Sequence, residues 1–173
     1  NQEKFAIPAT DARYVRITFN GNTVNDWAHI TELDVFGTSV PPSGCTTNLP
    51  ISGVTASGNE VGNVPSNVLD NNLGTRWSSQ GLGQFLTADL GSLKNICSVD
   101  IAFYAGNARV YHFVISTSTD GNTFTQKFSG DSSGTTLNQE KFVIPATDAR
   151  YVRITFNGNT VNEWAHITEL DVF

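Results

Sequence analysis

The chain has 173 residues, with ten Lys or Arg against sixteen Asp or Glu, a formal charge of −6, 39% apolar and 15% charged residues. That balance describes a folded chain of one domain plus a fragment rather than an acidic disordered tail. It excludes general nucleic-acid binding, which needs clustered Lys and Arg, and no apolar run nears the roughly 20 residues of a membrane-spanning helix. With no Met, the sequence is expected to be a processed product or an excised piece.

An internal repeat sets the organisation. Asn1–Phe36 recurs as Asn138–Phe173, differing only at Ala6 against Val143 and Asp26 against Glu163. A period of domain length points to tandem domains rather than a solenoid. Residues 1–36 therefore read as the C-terminal quarter of a preceding unit of identical type. Residues 37–44, with a Pro pair between Gly and Ser, read as a linker, and residues 45–173 as a complete unit. The two closing blocks should compete for the same strand slots, so strand exchange is expected, with Glu32 standing where Glu169 stands in the other copy.

In chain order the complete unit shows short β candidates at Phe85–Leu90, Val99–Phe103, Phe113–Ser118, Phe124–Phe128, Tyr151–Phe156 and Thr168–Phe173. Alternation puts Val99, Ile101 and Phe103 on one face, and Val152, Ile154 and Phe156 inward with Arg153 and Thr155 outward. Turn signals fall at Leu90-Gly91, Asp120-Gly121, Ser129-Gly130 and Asn157-Gly158. No helical stripe is present. Many short strands at regular spacing predict an all-β sandwich or jelly roll.

A series of motifs carries a family resemblance: Val68-Leu69-Asp70-Asn71-Asn72-Leu73-Gly74-Thr75-Arg76-Trp77-Ser78-Ser79, then Gln84 to Gly91, Ser118-Thr119-Asp120-Gly121, Ala149 to Ile154, and the closing Ile167 to Val172. This order resembles the discoidin (coagulation factor V/VIII C-type) domains and family 32 carbohydrate-binding modules, over about Val54 to Phe173. The resemblance implies an eight-stranded jelly-roll β-sandwich of galactose-binding type, with ligand loops at one end. It also implies an extracellular or cell-surface setting, since such modules ride on secreted polysaccharide-degrading enzymes or surface proteins.

Several residues gain an expected role. Trp77, between a polar turn and a strand, reads as core. The loop Asp70–Thr75 concentrates oxygen donors of the kind calcium takes. In similar modules this loop and a Glu on the last strand hold a structural calcium, and Asp70, Asn72, Thr75 and Glu169 match those positions. The alternative is an Asx-type turn that binds nothing. Sugar recognition asks for an exposed aromatic face beside side chains that fork hydrogen bonds to neighbouring hydroxyls. Two segments offer this, Tyr104–Tyr111 and the polar run Asn157–His166. Trp164 is expected to stack on a sugar ring, while Asn107, Arg109 and His166 bond hydroxyls or a carboxylate. Tyr104, Asn162 and Glu60 join the rim. The alternative has Trp164 capping the sandwich and Arg109 solvated.

Two readings are open for Cys45 and Cys97: a disulfide tying the N-terminal arm to the sandwich, which an extracellular setting favours, or two buried thiols. No pair of His lies at metal-ligand spacing, and no nucleophile motif supports a catalytic triad, so the chain reads as non-catalytic. The expected function is a carbohydrate-binding module that recognises extracellular polysaccharide. The alternative is a structural repeat of an adhesin or filament that self-assembles through the Asn1–Phe36 block. Phospholipid binding ranks last, because the unit is acidic and its apolar loop tips are few.

Overall fold

A computed structural model describes residues 3–7, 15–36 and 45–173. The chain divides into two compact units, Asn1–Val40 and Pro41–Phe173. The proposed linker 37–44 lies outside the described residues, apart from its assignment to these units.

The second unit is all-β. Eight strands follow in order: β1 (Gly53–Ala56), β2 (Trp77–Gln80), β3 (Phe85–Ala102), β4 (Tyr111–Ser118), β5 (Thr125–Asp131), β6 (Glu140–Asn159), β7 (Trp164–Ile167) and β8 (Glu169–Val172). A single 3-10 turn, Pro65–Leu69, leads into the Asp70 loop. The large sheet runs β1-β3-β6-β4-β5, with β8 on β3, and β2 pairs with β7 in a separate two-stranded ribbon. All of these pairings are antiparallel.

The core is the apolar side of this sandwich. Val152, Ile154 and Phe156 of β6 and Val99 and Ile101 of β3 are fully buried, and Phe103 just beyond β3 is nearly so, as the alternation predicts. Trp77 is buried too, and its indole N–H donates to the Gly58 carbonyl at 2.9 Å, so the large ring fills the base without an orphaned donor. Phe103, Tyr111, Phe113, Phe142 and Phe156 pack as an aromatic cluster under the loop end. A disulfide joins Cys45 to Cys97 with their Cα atoms 5.9 Å apart, which selects the first of the two cysteine readings.

Three of the four turn signals mark something other than turns, and one of these, Asn157-Gly158, lies inside β6, where Asn159 still pairs with Tyr111. At Leu90-Gly91 the chain does not reverse. Asp89 faces Tyr151 and Lys94 faces Ala149, so residues 90–93 bulge out of a strand that continues to Ala102. At Ser129-Gly130 the strand also continues, with Gly130 opposite Phe113. Glycine is needed there because a Cβ would lie 2.7 Å from the Phe128 ring. Strands β1, β2 and β7 carry no alternation long enough to read from sequence, and two of those three build the site.

The first unit holds no strand among its described residues. Its apolar side chains stand open: Phe5, Ile7, Val15, Ile17, Phe19, Leu33 and Val35 are all exposed.

Candidate functional site

The run Asn157–His166, expected as a polar loop, is a loop only from Thr160 to Glu163, its first three residues closing β6. From Trp164 the chain enters β7 and pairs with β2, placing Gln80 opposite Trp164 and Ser78 opposite His166. That pairing explains two placements. His166 is buried, and Trp164 is half-buried rather than free-standing, its indole parallel to the imidazole at 4° with centroids 5.7 Å apart.

The second contribution comes from the segment after β3. Ala105 has a left-handed backbone (φ 51°), and a Cβ at Gly106 would meet the Thr136 carbonyl at 2.6 Å, so this tight turn requires its glycine. The Tyr111 hydroxyl donates to the Tyr104 carbonyl at 2.7 Å and pins the turn from below, while burial pushes the Tyr111 phenol's pKa up. Tyr104 thereby stands exposed with its ring 5.3 Å from that of His166. Trp164, His166 and Tyr104 form one aromatic row.

Two guanidinium groups flank the Tyr104 end of the row. Arg76 lies over the Tyr104 ring at 4.2 Å and Arg109 at 5.5 Å. Arg76 Nε donates to Ser78 Oγ at 2.9 Å, and Ser78 Oγ lies 2.8 Å from His166 Nδ1. Burial first, then the charges of Arg76 and Arg109, lower the His166 pKa to about 4. The imidazole is therefore neutral at pH 7. Ser78 Oγ thus links the Arg76 guanidinium to the His166 ring, accepting from Arg76 and sharing a hydrogen bond with Nδ1. Arg109 Nε is buried without a protein partner. Glu60 closes the rim 4.0 Å from Arg76 and accepts from Asn63.

Of the residues expected at the site, Tyr104, Arg109, Trp164 and His166 are brought together by these ring and cation contacts. Glu60 reaches them through Arg76. Asn107 is exposed in the same turn. Asn162 is held elsewhere: its Oδ1 accepts from Asn159 Nδ2 at 2.8 Å and Trp164 N at 3.1 Å, so that oxygen fastens the loop. Sequence reasoning missed Arg76 and Ser78 as site residues. Both sit inside the quoted motif beside Trp77, and alternation was the available signal, since Trp77 pointing inward turns its neighbours the other way.

The calcium candidates also converge. Glu169 Oε1 accepts the Asn72 N–H at 2.6 Å, Asp70 Oδ1 accepts the same N–H at 3.0 Å, and Thr75 Oγ1 donates to Asp70 Oδ2 at 2.7 Å. Desolvation, with Asp70 beside it, raises the Glu169 pKa to about 7. No group of three or more His, Cys, Asp or Glu gathers among the described residues. A cation here would take two carboxylates plus neutral oxygens of Asn72 and Thr75, a donor set that suits calcium.

A concavity of about 400 Å³ lies away from both places, on the sheet face beside Thr55, Thr87, Asp89, Tyr151 and Arg153. Its charges are internally engaged. Arg150 forks to Asp89 with two 2.8 Å bonds, and Arg153 is sandwiched between the Phe85 and Phe124 rings at 4.1 and 3.7 Å.

The second unit belongs to the class of β-sandwich domains that gather an aromatic row, amide-bearing loops and guanidinium groups in one place. Comparison narrows the class: the F5/8 type C domain family matches residues 53–170, and the chain belongs to that family. It is similar to the CBM32 module of AlyQ, solved in complex with 4,5-unsaturated mannuronic acid, at 46% identity and TM-score 0.72, covering 73% of this chain and 98% of that one. A pectin-binding carbohydrate-binding module matches at 28% identity and TM-score 0.68, over 72% of this chain and 91% of that one. A sialidase of Micromonospora viridifaciens is 29% identical over 117 residues, 62% of this chain but only 18% of that protein. The structural neighbours of this chain are sugar-binding modules of the CBM32 type.

Proposed function

We propose that residues 45–173 form a non-catalytic module that holds an acidic, uronate-containing polysaccharide outside the cell. The observation that carries this reading is the pair of guanidinium groups at Tyr104 in a chain of net charge −6, where cations are scarce and these two lie against one exposed ring. A planar carboxylate is the natural complement of an arginine fork. Arg109 Nε has no partner in the protein, and the neutral His166 adds no further charge to the site. Tyr104 and the outer edge of Trp164 give the sugar ring its apolar contact. The mannuronic acid and pectin of two similar modules support the class of ligand, and the Cys45–Cys97 disulfide suits an oxidising, extracellular setting.

A shallow site of this kind should bind weakly and with salt dependence, since its charges remain near water. The test is a binding panel of oligomannuronate, oligogalacturonate and neutral galactan at low and high NaCl. Uronates should bind with affinity falling as salt rises, whereas equal binding to the neutral glycan would remove the proposal.

A structural calcium held by Asp70, Asn72, Thr75 and Glu169 is the second part of the reading. Bound calcium would offset the desolvation and the neighbouring Asp70 charge that disfavour ionisation of Glu169. At a hundredfold excess over its Kd it should stabilise by about 2.7 kcal/mol. Chelation should lower Tm accordingly, with no effect in Glu169→Gln. An unchanged melt after exhaustive chelation would contradict it.

A further inference from the structure

The apolar residues left open in the first unit have counterparts whose partners are known. Phe5, Val15, Ile17 and Val35 are 79%, 53%, 45% and 62% exposed, and the same residues in the second copy, Phe142, Val152, Ile154 and Val172, are 8%, 0%, 0% and 0% exposed. What covers the second set is the body formed by residues 45–137. The first block also keeps the internal contacts of the second. Lys4 lies over the Phe36 ring at 5.7 Å as Lys141 lies over Phe173 at 4.5 Å. Trp27 stacks on His29 at 10° as Trp164 stacks on His166 at 4°. A block with the sequence, the internal contacts and the open apolar face of the closing block has one natural partner.

The connection permits it. Phe173 accepts from Cys97 N at 2.7 Å, and Cys45 is disulfide-bonded to Cys97 with Cα atoms 5.9 Å apart. A Phe36 seated where Phe173 sits would therefore lie about 10 Å from Cys45, and nine peptide steps through 37–44 reach roughly 30 Å. The disulfide anchors Cys45 in that place whichever block closes the body.

We propose that residues 1–36 are an interchangeable closing block, able to enter the slot of residues 138–173 on the chain's own 45–137 body and to release the second block in exchange. Trp27, His29 and Glu32 then take the places of Trp164, His166 and Glu169, so the aromatic row and the acidic loop are rebuilt from the other copy. One body cannot hold two blocks at once, so entry of one requires release of the other.

Disabling one block at a time in the full chain tests this. Ile154→Asp puts a carboxylate into the core of the second block, and Ile17→Asp does the same to the first. With Ile154→Asp alone, a cooperative melt should survive, and hydrogen-exchange protection should move from 140–159 to 3–22. The double variant should show no cooperative melt. If Ile154→Asp alone is as unfolded as the double variant, or folds with 3–22 still unprotected, exchange does not occur. If protection of 3–22 appears only in dimers and vanishes on dilution, the first block closes another molecule's body and the same-chain frame is wrong.

Discussion

Residues 15–36 and 152–173 are one sequence in two settings, apart from Asp26 against Glu163. In the second copy they form the end of β6, then β7 and β8, while in the first they form no strand. The turn between is the same in both. Asn22 Oδ1 accepts Val24 N at 2.8 Å and Asn25 N at 2.9 Å, and Asn159 Oδ1 accepts Val161 N at 2.9 Å and Asn162 N at 3.1 Å. The amide of each reaches on to the carbonyl of the following tryptophan, 3.0 Å to Trp27 and 2.9 Å to Trp164. The asparagine turn closes on itself within six residues and forms wherever the sequence occurs. The strands exist only where β2, β3 and β4 supply their missing hydrogen bonds and cover their apolar face. Local chemistry sets the loop, and tertiary partners set the sheet.

The largest effect that can break this comparison is a core truncation made in both settings. In the isolated 45–173 unit, Ile154→Ala should cost about 2–5 kcal/mol, because a buried methyl and ethyl group leave a cavity. Ile17→Ala in the full chain should stay within about 0.5 kcal/mol by denaturant melt. Equal costs would mean that the first block is packed as tightly as the second.

Next in size is a pH effect from burying His166 in β7. Its folded pKa, about 4, lies below the 6.5 of the free group, so between those values the unfolded chain takes up a proton that the folded one refuses. The His166 contribution should therefore be full above pH 6.5 and be lost as pH drops to 4, by on the order of 3 kcal/mol in all, while Glu169, whose folded pKa of about 7 lies above the 4.5 of the free group, acts in the opposite sense over the same range. His166→Gln should remove that contribution alone, so the stability difference between parent and variant should change with pH by this amount; a difference that is constant from pH 7 to pH 4 would contradict it.

A smaller effect separates turn from strand. Asn159→Ala removes an acceptor for two backbone donors and an amide bond to Trp164, and should cost about 1–2 kcal/mol in the 45–173 unit. Asn22→Ala should disorder the first turn, read as lost dispersion of the 22–27 amide resonances, while the main melt stays in place. Resonances of 22–27 that persist in the variant would show the turn to be held by something other than its asparagine.

The same division explains what the sequence discloses. The β6 alternation Val152, Ile154, Phe156 and the β3 alternation Val99, Ile101, Phe103 are legible because each is long and half-buried. The family motifs from Val68 to Ser79 carry the sandwich as a whole. Strand β7 escapes because four residues, one of them a histidine, look like the polar run they follow, and its burial depends on β2, distant in the chain. For the same reason Trp164 reads as free-standing when most of its surface is covered. Arg76 is hidden by its neighbour: beside a core tryptophan in a structural motif, nothing local says that its guanidinium reaches across to Tyr104. Arg109 and Tyr104 are found because they lie in one loop, and the pairing of Arg109 with Arg76 belongs to the fold.

The claim on which the functional account rests is that two arginines at one tyrosine recognise a sugar carboxylate. Isothermal titration of oligomannuronate into the 45–173 unit and its Arg76→Ala and Arg109→Ala variants tests it most directly. The account predicts measurable binding that weakens at least tenfold in each variant, about 1.4 kcal/mol or more, with an unchanged melt above pH 6.5. Variants that keep their fold and bind the uronate as well as the parent unit would contradict it.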